Sequence, residues 1–341
     1  MKTLKNLPKI PLSRLLLALL PSLALSSSVY AHDIKEHDFK EHKQKTESPQ
    51  AQKSVNTKKD DSSVERVHKT SLVDERVHDE LATSELPFVM TPHNVNYILP
   101  ATYNTSPNTA PFDKDMAERS LGLDNVEAKF QVSFKFPLMY NVFGDNGHLF
   151  VAYTNQSYWQ VYNKDISSPF RETNHEPEIF MMFNNDWQLG PLRNSFWGVG
   201  AAHQSNGKSG SLSRSWNRLY GTMVFDSGPF ALAAKVWWRL PEDEKETPTS
   251  PEGDDNPDIE DYMGNFELTG IYGIDEHRFT MMLRNNLSSP NYGAFEATWS
   301  YPIIGQLRIY TQYFNGYGES LIDYNAHTQR IGIGVSINDI L

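Results

Sequence analysis

The 341-residue chain contains no cysteine. Whatever compartment it folds in, disulfides are excluded as a source of stability. Past the N-terminus no stretch approaches the ~18 continuous apolar residues that a membrane-spanning helix needs. Positive charge is also scarce: 31 Lys and Arg stand against 42 Asp and Glu, a formal net charge of −11. That balance excludes nucleic acid as a natural partner.

Aromatics, by contrast, are abundant, with 16 Tyr, 18 Phe and 7 Trp. Lys2, Lys5, Lys9 and Arg14 form a basic start, Leu15 to Leu25 an apolar run broken by Pro21, and Val29-Tyr30-Ala31 a small-x-small cleavage site. Residues 1–31 therefore read as a secretory signal. Its removal takes four positive charges and leaves the mature chain near −15. Residues 32–85 are rich in Lys, Glu, Asp, His, Gln and Ser and poor in large apolar side chains. Such a segment cannot offset its ordering entropy by burial and is expected to be disordered. Its His32, His37 and His42 read as part of a solvated tail. Residues 86–125, richer in Pro, Asn, Tyr and Thr, form a lead-in segment on the periplasmic side, with Asn96 to Pro100 as a short strand or plug.

From Val126 the pattern changes. Ala128, Phe130, Val132, Phe134 and Phe136 alternate with Lys129, Gln131, Ser133 and Lys135. This period of two is that of a strand with one apolar face. It recurs to the end, most cleanly where Ile331, Ile333, Val335 and Ile337 face Gly332, Gly334 and Ser336. About eleven or twelve strands fit. A sandwich would turn the apolar face inward, a membrane barrel outward. Strands of about ten residues, aromatics at strand ends (Trp159, Trp197, Tyr220, Trp238, Trp299, Tyr301) and mid-strand charges opposite the apolar face (Lys129, Lys135, Lys235, Arg239, Glu267, Arg284, Glu296, Arg308) favour the barrel. Residues 126–341 are thus expected to form an all-β, antiparallel, transmembrane barrel in a bacterial outer membrane.

One stretch carries chemistry: Ala201-Ala202-His203-Gln204-Ser205-Asn206-Gly207, followed by Ser215-Trp216-Asn217. On a strand, His203 and Ser205 share a face, roughly 7 Å apart. Parity with Trp197, Val199 and Ala201 puts both on the outward row, and parity with Leu219 and Met223 puts Asn217 there too. A polar cluster facing lipid is costly and points to a function, and the substrate within its reach is lipid. Ser205 as nucleophile, His203 as base and Asn217 as the group orienting the imidazole make a hydrolase triad. The loop Asn206 to Ser213 offers the Gly207 N–H to an oxyanion and oxygen donors to a hard cation such as Ca²⁺. Taken by itself the loop reads first as a plain Gly/Ser hairpin turn.

These residues carry a resemblance. The run from His203 to Tyr220, with Ser167 to Asn174, Asp254 to Ile259 and Gly316 to Asn325, resembles the outer-membrane phospholipase A family, and the likeness extends from about residue 95 to the end. The resemblance implies a twelve-stranded barrel, calcium dependence and activation by homodimerisation. It also implies hydrolysis of both acyl esters of phospholipids, and of lysophospholipids. It makes Ser205 the nucleophile, His203 the base, Asn217 its partner and Gly207 the oxyanion donor. It assigns calcium to the Ser213 hydroxyl and the Lys208 carbonyl, with Ser167 supplied by the partner subunit across the dimer, and Asp255 to a calcium site associated with the monomer. Lys208, Gly210, Asn155 and the terminal Leu341 depart from the family pattern, which has Arg, an acidic residue, Gln and an aromatic there. The competing readings are a porin or transporter conducting solute, and a structural barrel or adhesin acting through its loops.

Overall fold

The computed structural model describes residues 71–84, 90–113, 122–247, 250 and 252–340. The signal at 1–31, the histidines of the tail and Leu341 lie outside the described residues.

Twelve antiparallel strands form the barrel: β1 (Tyr97–Asn104), β2 (Val126–Met139), β3 (His148–Trp159), β4 (Phe170–Asn184), β5 (Leu192–Ser205), β6 (Ser215–Ser227), β7 (Phe230–Arg239), β8 (Phe266–Ile274), β9 (His277–Asn285), β10 (Gly293–Ile304), β11 (Leu307–Gly316) and β12 (Thr328–Ser336). Each pairs with its neighbours in the chain, and β1 pairs with both β2 and β12, which closes the ring and leaves no free edge. The long connections (residues 160–169, 206–214, 240–265 and 317–327) fall at one end and the short turns (228–229, 275–276, 305–306) at the other. That asymmetry is the one outer-membrane barrels show, with the long loops outside the cell.

The alternation resolves as expected. Val132, Val199, Leu219, Val236, Ile331 and Ile333 are exposed on the outer surface. Lys129, Arg171 and Arg330, from the opposite parity, are buried inside. There the charges pair. Arg330 bridges Glu127 (2.8 Å) and Glu319 (2.9 Å), Lys129 meets Glu319 (3.1 Å), and Arg171 meets Glu127 (3.0 Å) and Asp323 (2.6 Å). Glu319 and Asp323 come from the loop after β11, which folds into the mouth of the barrel and buries Leu321 and Ile322. Charges buried at this cost persist only when paired, and this network lies within the lumen.

Two expectations about the N-terminal part need correction. The barrel begins at Tyr97, not Val126. Strand β1 escaped the period-two reading because its burial pattern changes phase at Pro100-Ala101, where both residues face outward. Its register to β2 and β12 shifts at the same place. Proline donates no ladder hydrogen bond and is tolerated at such a bulge. On the facing strand a Cβ at Gly334 would lie 2.0 Å from the Ile98 carbonyl oxygen, so only glycine fits opposite it.

The second correction concerns residues 32–85. Within them Leu72–Ser84 forms a helix, α1. Leu72 and Val73 pack on Ala231 and Ile271 of β7 and β8. Arg193 binds Asp74 (2.6 Å), and Lys135 binds Glu80 (3.0 Å). Arg76 donates to the Pro92 carbonyl at 2.5 Å. The sparse apolar side chains that argued against order suffice because the barrel wall supplies the complementary surface.

Candidate active site

Strands β5 and β6 run antiparallel at the long-loop end, with His203 opposite Asn217 and Ser205 opposite Ser215. The register follows from the inner face, where Trp216, fully buried, donates its indole N–H to Gln204 Oε1 at 2.7 Å. With the even positions thus fixed inside, His203, Ser205 and Asn217 take the outer face, in line with exposed Val199 and Leu219. Across the outer face His203 Nδ1 lies 2.9 Å from Asn217 Oδ1. An amide oxygen can only accept, so the ring carries its proton on Nδ1 and leaves Nε2 free as a base. Ser205 stands two positions along the same strand face. Among the described residues no hydrogen bond joins its hydroxyl to the ring, and catalytic hydrogen bonds often tighten only with substrate bound.

The chain leaves Ser205 through Asn206, whose side chain holds the loop. It donates to the Leu212 carbonyl (2.8 Å) and accepts from the backbone N–H groups of Lys208 (3.3 Å) and Arg214 (3.0 Å). Gly207 sits at φ +64°, where a side chain would strain the backbone. Lys208 turns inward, its ammonium on the Arg171 carbonyl at 2.6 Å and 3.7 Å from Glu172, and burial lowers its pKa.

Of the four residues assigned to calcium, the structure brings two together. Asp255 Oδ2 accepts from Ser213 Oγ (2.8 Å) and from Ser215 Oγ (3.0 Å). Its other oxygen pairs with the Lys245 ammonium. Lys208 lies on the same loop as Ser213. Ser167 lies on the loop between β3 and β4, at the end of a 3₁₀ turn, and no hydrogen bond joins it to Ser213 or Asp255. Among the described residues no group of three His, Asp or Glu could by itself hold a metal.

Sequence reasoning missed a third partner of the imidazole–amide pair. Asn217 Nδ2 donates to Glu242 Oε1 at 2.9 Å. The strand ladder continues past β7, with the Leu240 N–H on the Asn217 carbonyl at 2.8 Å. Parity with exposed Trp238 was the available signal, since 238, 240 and 242 share a face. Also unforeseen is the part His175 plays in the polar row that Asn155 makes on the neighbouring outer face. His175 stands opposite Ser205 and Asn155, and takes the Tyr153 hydroxyl at 2.6 Å and the Asn155 amide at 3.3 Å.

A family model described as phospholipase A1 matches residues 73–337. The chain is 38% identical over 257 residues to a phospholipase A1 of Salmonella typhimurium, covering 74% of this chain and 83% of that one. It is 37% identical over 254 residues to a phospholipase A1 of Escherichia coli, with the same coverages. Among solved structures, a dimer of Salmonella typhi outer membrane phospholipase with bound calcium superposes with a TM-score of 0.69 at 37% identity, over 75% of this chain and 95% of that one. An asparagine-to-alanine active-site mutant of the E. coli outer membrane phospholipase A gives 0.70 at 35% identity, over 81% and 100%.

Proposed function

The chain belongs to the phospholipase A1 family, and from that premise we propose that it cleaves the sn-1 and sn-2 acyl esters of phospholipids and lysophospholipids with Ser205, His203 and Asn217 on the lipid-facing side of the barrel. The observation that carries the reading is the 2.9 Å contact between His203 Nδ1 and Asn217 Oδ1 on an outer face otherwise given to lipid. That a relative's active site was probed by replacing an asparagine supports the role given to Asn217.

In the first half-reaction His203 Nε2 takes the proton of Ser205 Oγ as that oxygen attacks the ester carbonyl. Charge gathers on the former carbonyl oxygen, and the Gly207 N–H, two residues past the nucleophile, is the donor assigned to receive it. The tetrahedral centre collapses, His203 returns the proton to the leaving lyso-lipid alcohol, and the acyl group stays on Ser205. Water, deprotonated by the same imidazole, then releases the fatty acid. Asn217 keeps the ring in one tautomer through both halves.

For calcium, the donor chemistry fits and the count is short. One carboxylate (Asp255) and hydroxyls (Ser213, Ser215) converge, as a hard cation requires. Calcium takes 6–8 oxygens, so the Lys208 carbonyl, Ser167 from a second copy of the chain and water would complete the set. Bound by these donors, calcium would supply positive charge to help stabilise the developing oxyanion. The shortfall within one chain supports activation by homodimerisation. So does the polar row of Asn155, Ser157, Thr173 and His175, which is costly against lipid and sheltered when a second barrel covers it. The lumen crowded by Lys129, Arg171 and Arg330 weighs against solute conduction.

The test is phospholipid hydrolysis in detergent micelles by wild type and Ser205→Ala, with and without calcium. Loss of hydrolysis in a folded Ser205→Ala barrel is expected. Full activity in that variant would sink the triad.

A further inference from the structure

The pair His203–Asn217 has an electrostatic weakness. An amide orients the imidazole but brings no charge to balance the imidazolium that forms when Ser205 gives up its proton. The hydrogen bond from Asn217 Nδ2 to Glu242 Oε1 at 2.9 Å addresses that weakness. We propose that Glu242 is a positioning residue of the catalytic relay, which thereby runs Ser205, His203, Asn217, Glu242. The inference rests on the triad reading above and extends it by one residue.

Three observations carry it. The first is donor logic. An amide can turn either end towards a neighbour, but an ionised carboxylate only accepts. Glu242 therefore holds the NH₂ of Asn217 on its own side and turns Oδ1 towards the ring, which in turn places the imidazole proton on Nδ1. Without Glu242 the amide could flip, present NH₂ to Nδ1 and put the proton on Nε2, where a base must have none.

The second is polarisation. A hydrogen bond to a carboxylate is about twice as strong as a neutral one and pulls electron density through the amide towards Oδ1. The charge reaches the ring across two hydrogen bonds instead of one.

The third is placement. Leu240 continues the ladder against Asn217, and residue 242 returns to the outer face two positions later. Glu242 is half-buried, faces Arg239, Asp254 and Asp255, and burial pushes its carboxyl pKa up. It sits at the start of the long acidic loop, so the same loop that brings Asp255 to the cation donors brings Glu242 to the relay.

The experiment compares the full chain with Glu242→Gln, Glu242→Ala and Glu242→Asp in detergent micelles with saturating calcium. Folding is confirmed by the heat-modifiable gel mobility of an intact barrel. Glu242→Gln is expected to lower kcat about tenfold with KM within about twofold, because the relay acts in the transition state. Removal of the charge that favours the protonated imidazole also moves the acid limb of the kcat profile to lower pH, by roughly half a unit to one unit. Glu242→Ala should match or exceed that loss, and Glu242→Asp should restore the acid limb. In an Asn217→Ala background Glu242→Gln should cost nothing further.

Wild-type kcat and acid limb in Glu242→Gln would overturn the proposal while leaving the triad standing. So would an undiminished effect of Glu242→Gln in the Asn217→Ala background, which would place its action in the loop. Full activity of Ser205→Ala would remove the relay altogether and is a different result from either.

Discussion

The Trp216 indole N–H donates to Gln204 Oε1 at 2.7 Å on the inner face of the barrel, directly behind the outward pair of His203 and Asn217. The two contacts are adjacent rungs of one ladder, so the inner one sets the register of the outer one. Gln204→Ala leaves a buried indole N–H without its acceptor and should cost about 1–3 kcal/mol of stability. Thermal or urea unfolding of the micellar protein measures it. A stability within ~0.3 kcal/mol of wild type would show that other groups hold the register.

Asn217→Ala should retain more activity than either neighbour's removal. On the proposed mechanism Ser205→Ala takes away the nucleophile and His203→Ala the base, whereas Asn217→Ala removes only orientation. The expected loss is about 10²-fold in kcat, with hydrolysis still measurable above the Ser205→Ala background. Single-turnover acylation with a chromogenic ester would report it without interference from product release.

The proposed calcium dependence can be tested at Asp255. Chelation should stop turnover and readdition restore it. Asp255→Ala should raise the calcium concentration for half-activation and, in cross-linking, weaken calcium-promoted dimer formation. Lys245 pairs with the same carboxylate and competes with a cation. Lys245→Ala should therefore move the calcium midpoint down by about three- to tenfold, the scale of one partly shielded ion pair. Activity that persists in excess chelator would eliminate the metal's role.

The network inside the barrel should be brittle to single changes. Arg330 is fully buried between Glu127 and Glu319, with Thr102 Oγ1 accepting at 2.8 Å. Arg330→Met strands part of that negative charge and should destabilise the barrel by about 3–5 kcal/mol. The gel temperature at which the folded band disappears is a direct measure, and an unchanged value would mean that Lys129 and Arg171 alone balance the carboxylates.

The barrel and the outward placement of His203, Ser205 and Asn217 were legible because strand parity is a strict code. Val126 to Phe136 showed which side each residue faces, and the same count carried His203, Ser205 and Asn217 to the lipid surface. Legibility failed where the code is interrupted or the partner is remote. Pro100-Ala101 inserts one residue into β1, so its two halves cancel in any period-two reading. Helix α1 is polar taken alone, and only the wall formed by Ala231 and Ile271 makes its Leu72 and Val73 a core. Glu242 lies 25 positions from its partner Asn217, beyond the end of β7. The Lys245–Asp255 pair was hidden in the same way.

Helix α1 also bears on how the molecule is made. It touches β7 and β8 through Leu72 and Val73, β2 through the Glu80–Lys135 pair, and the carbonyl of Asp339 through Arg76. Those surfaces come from the beginning, middle and end of the chain, and they surround one space only after the β1–β12 seam has shut. The helix therefore cannot complete its contacts on a half-built sheet. A protease site placed within residues 71–84 is expected to be cut in open assembly intermediates and protected once the last strand is zipped, so that its protection reports closure of the barrel.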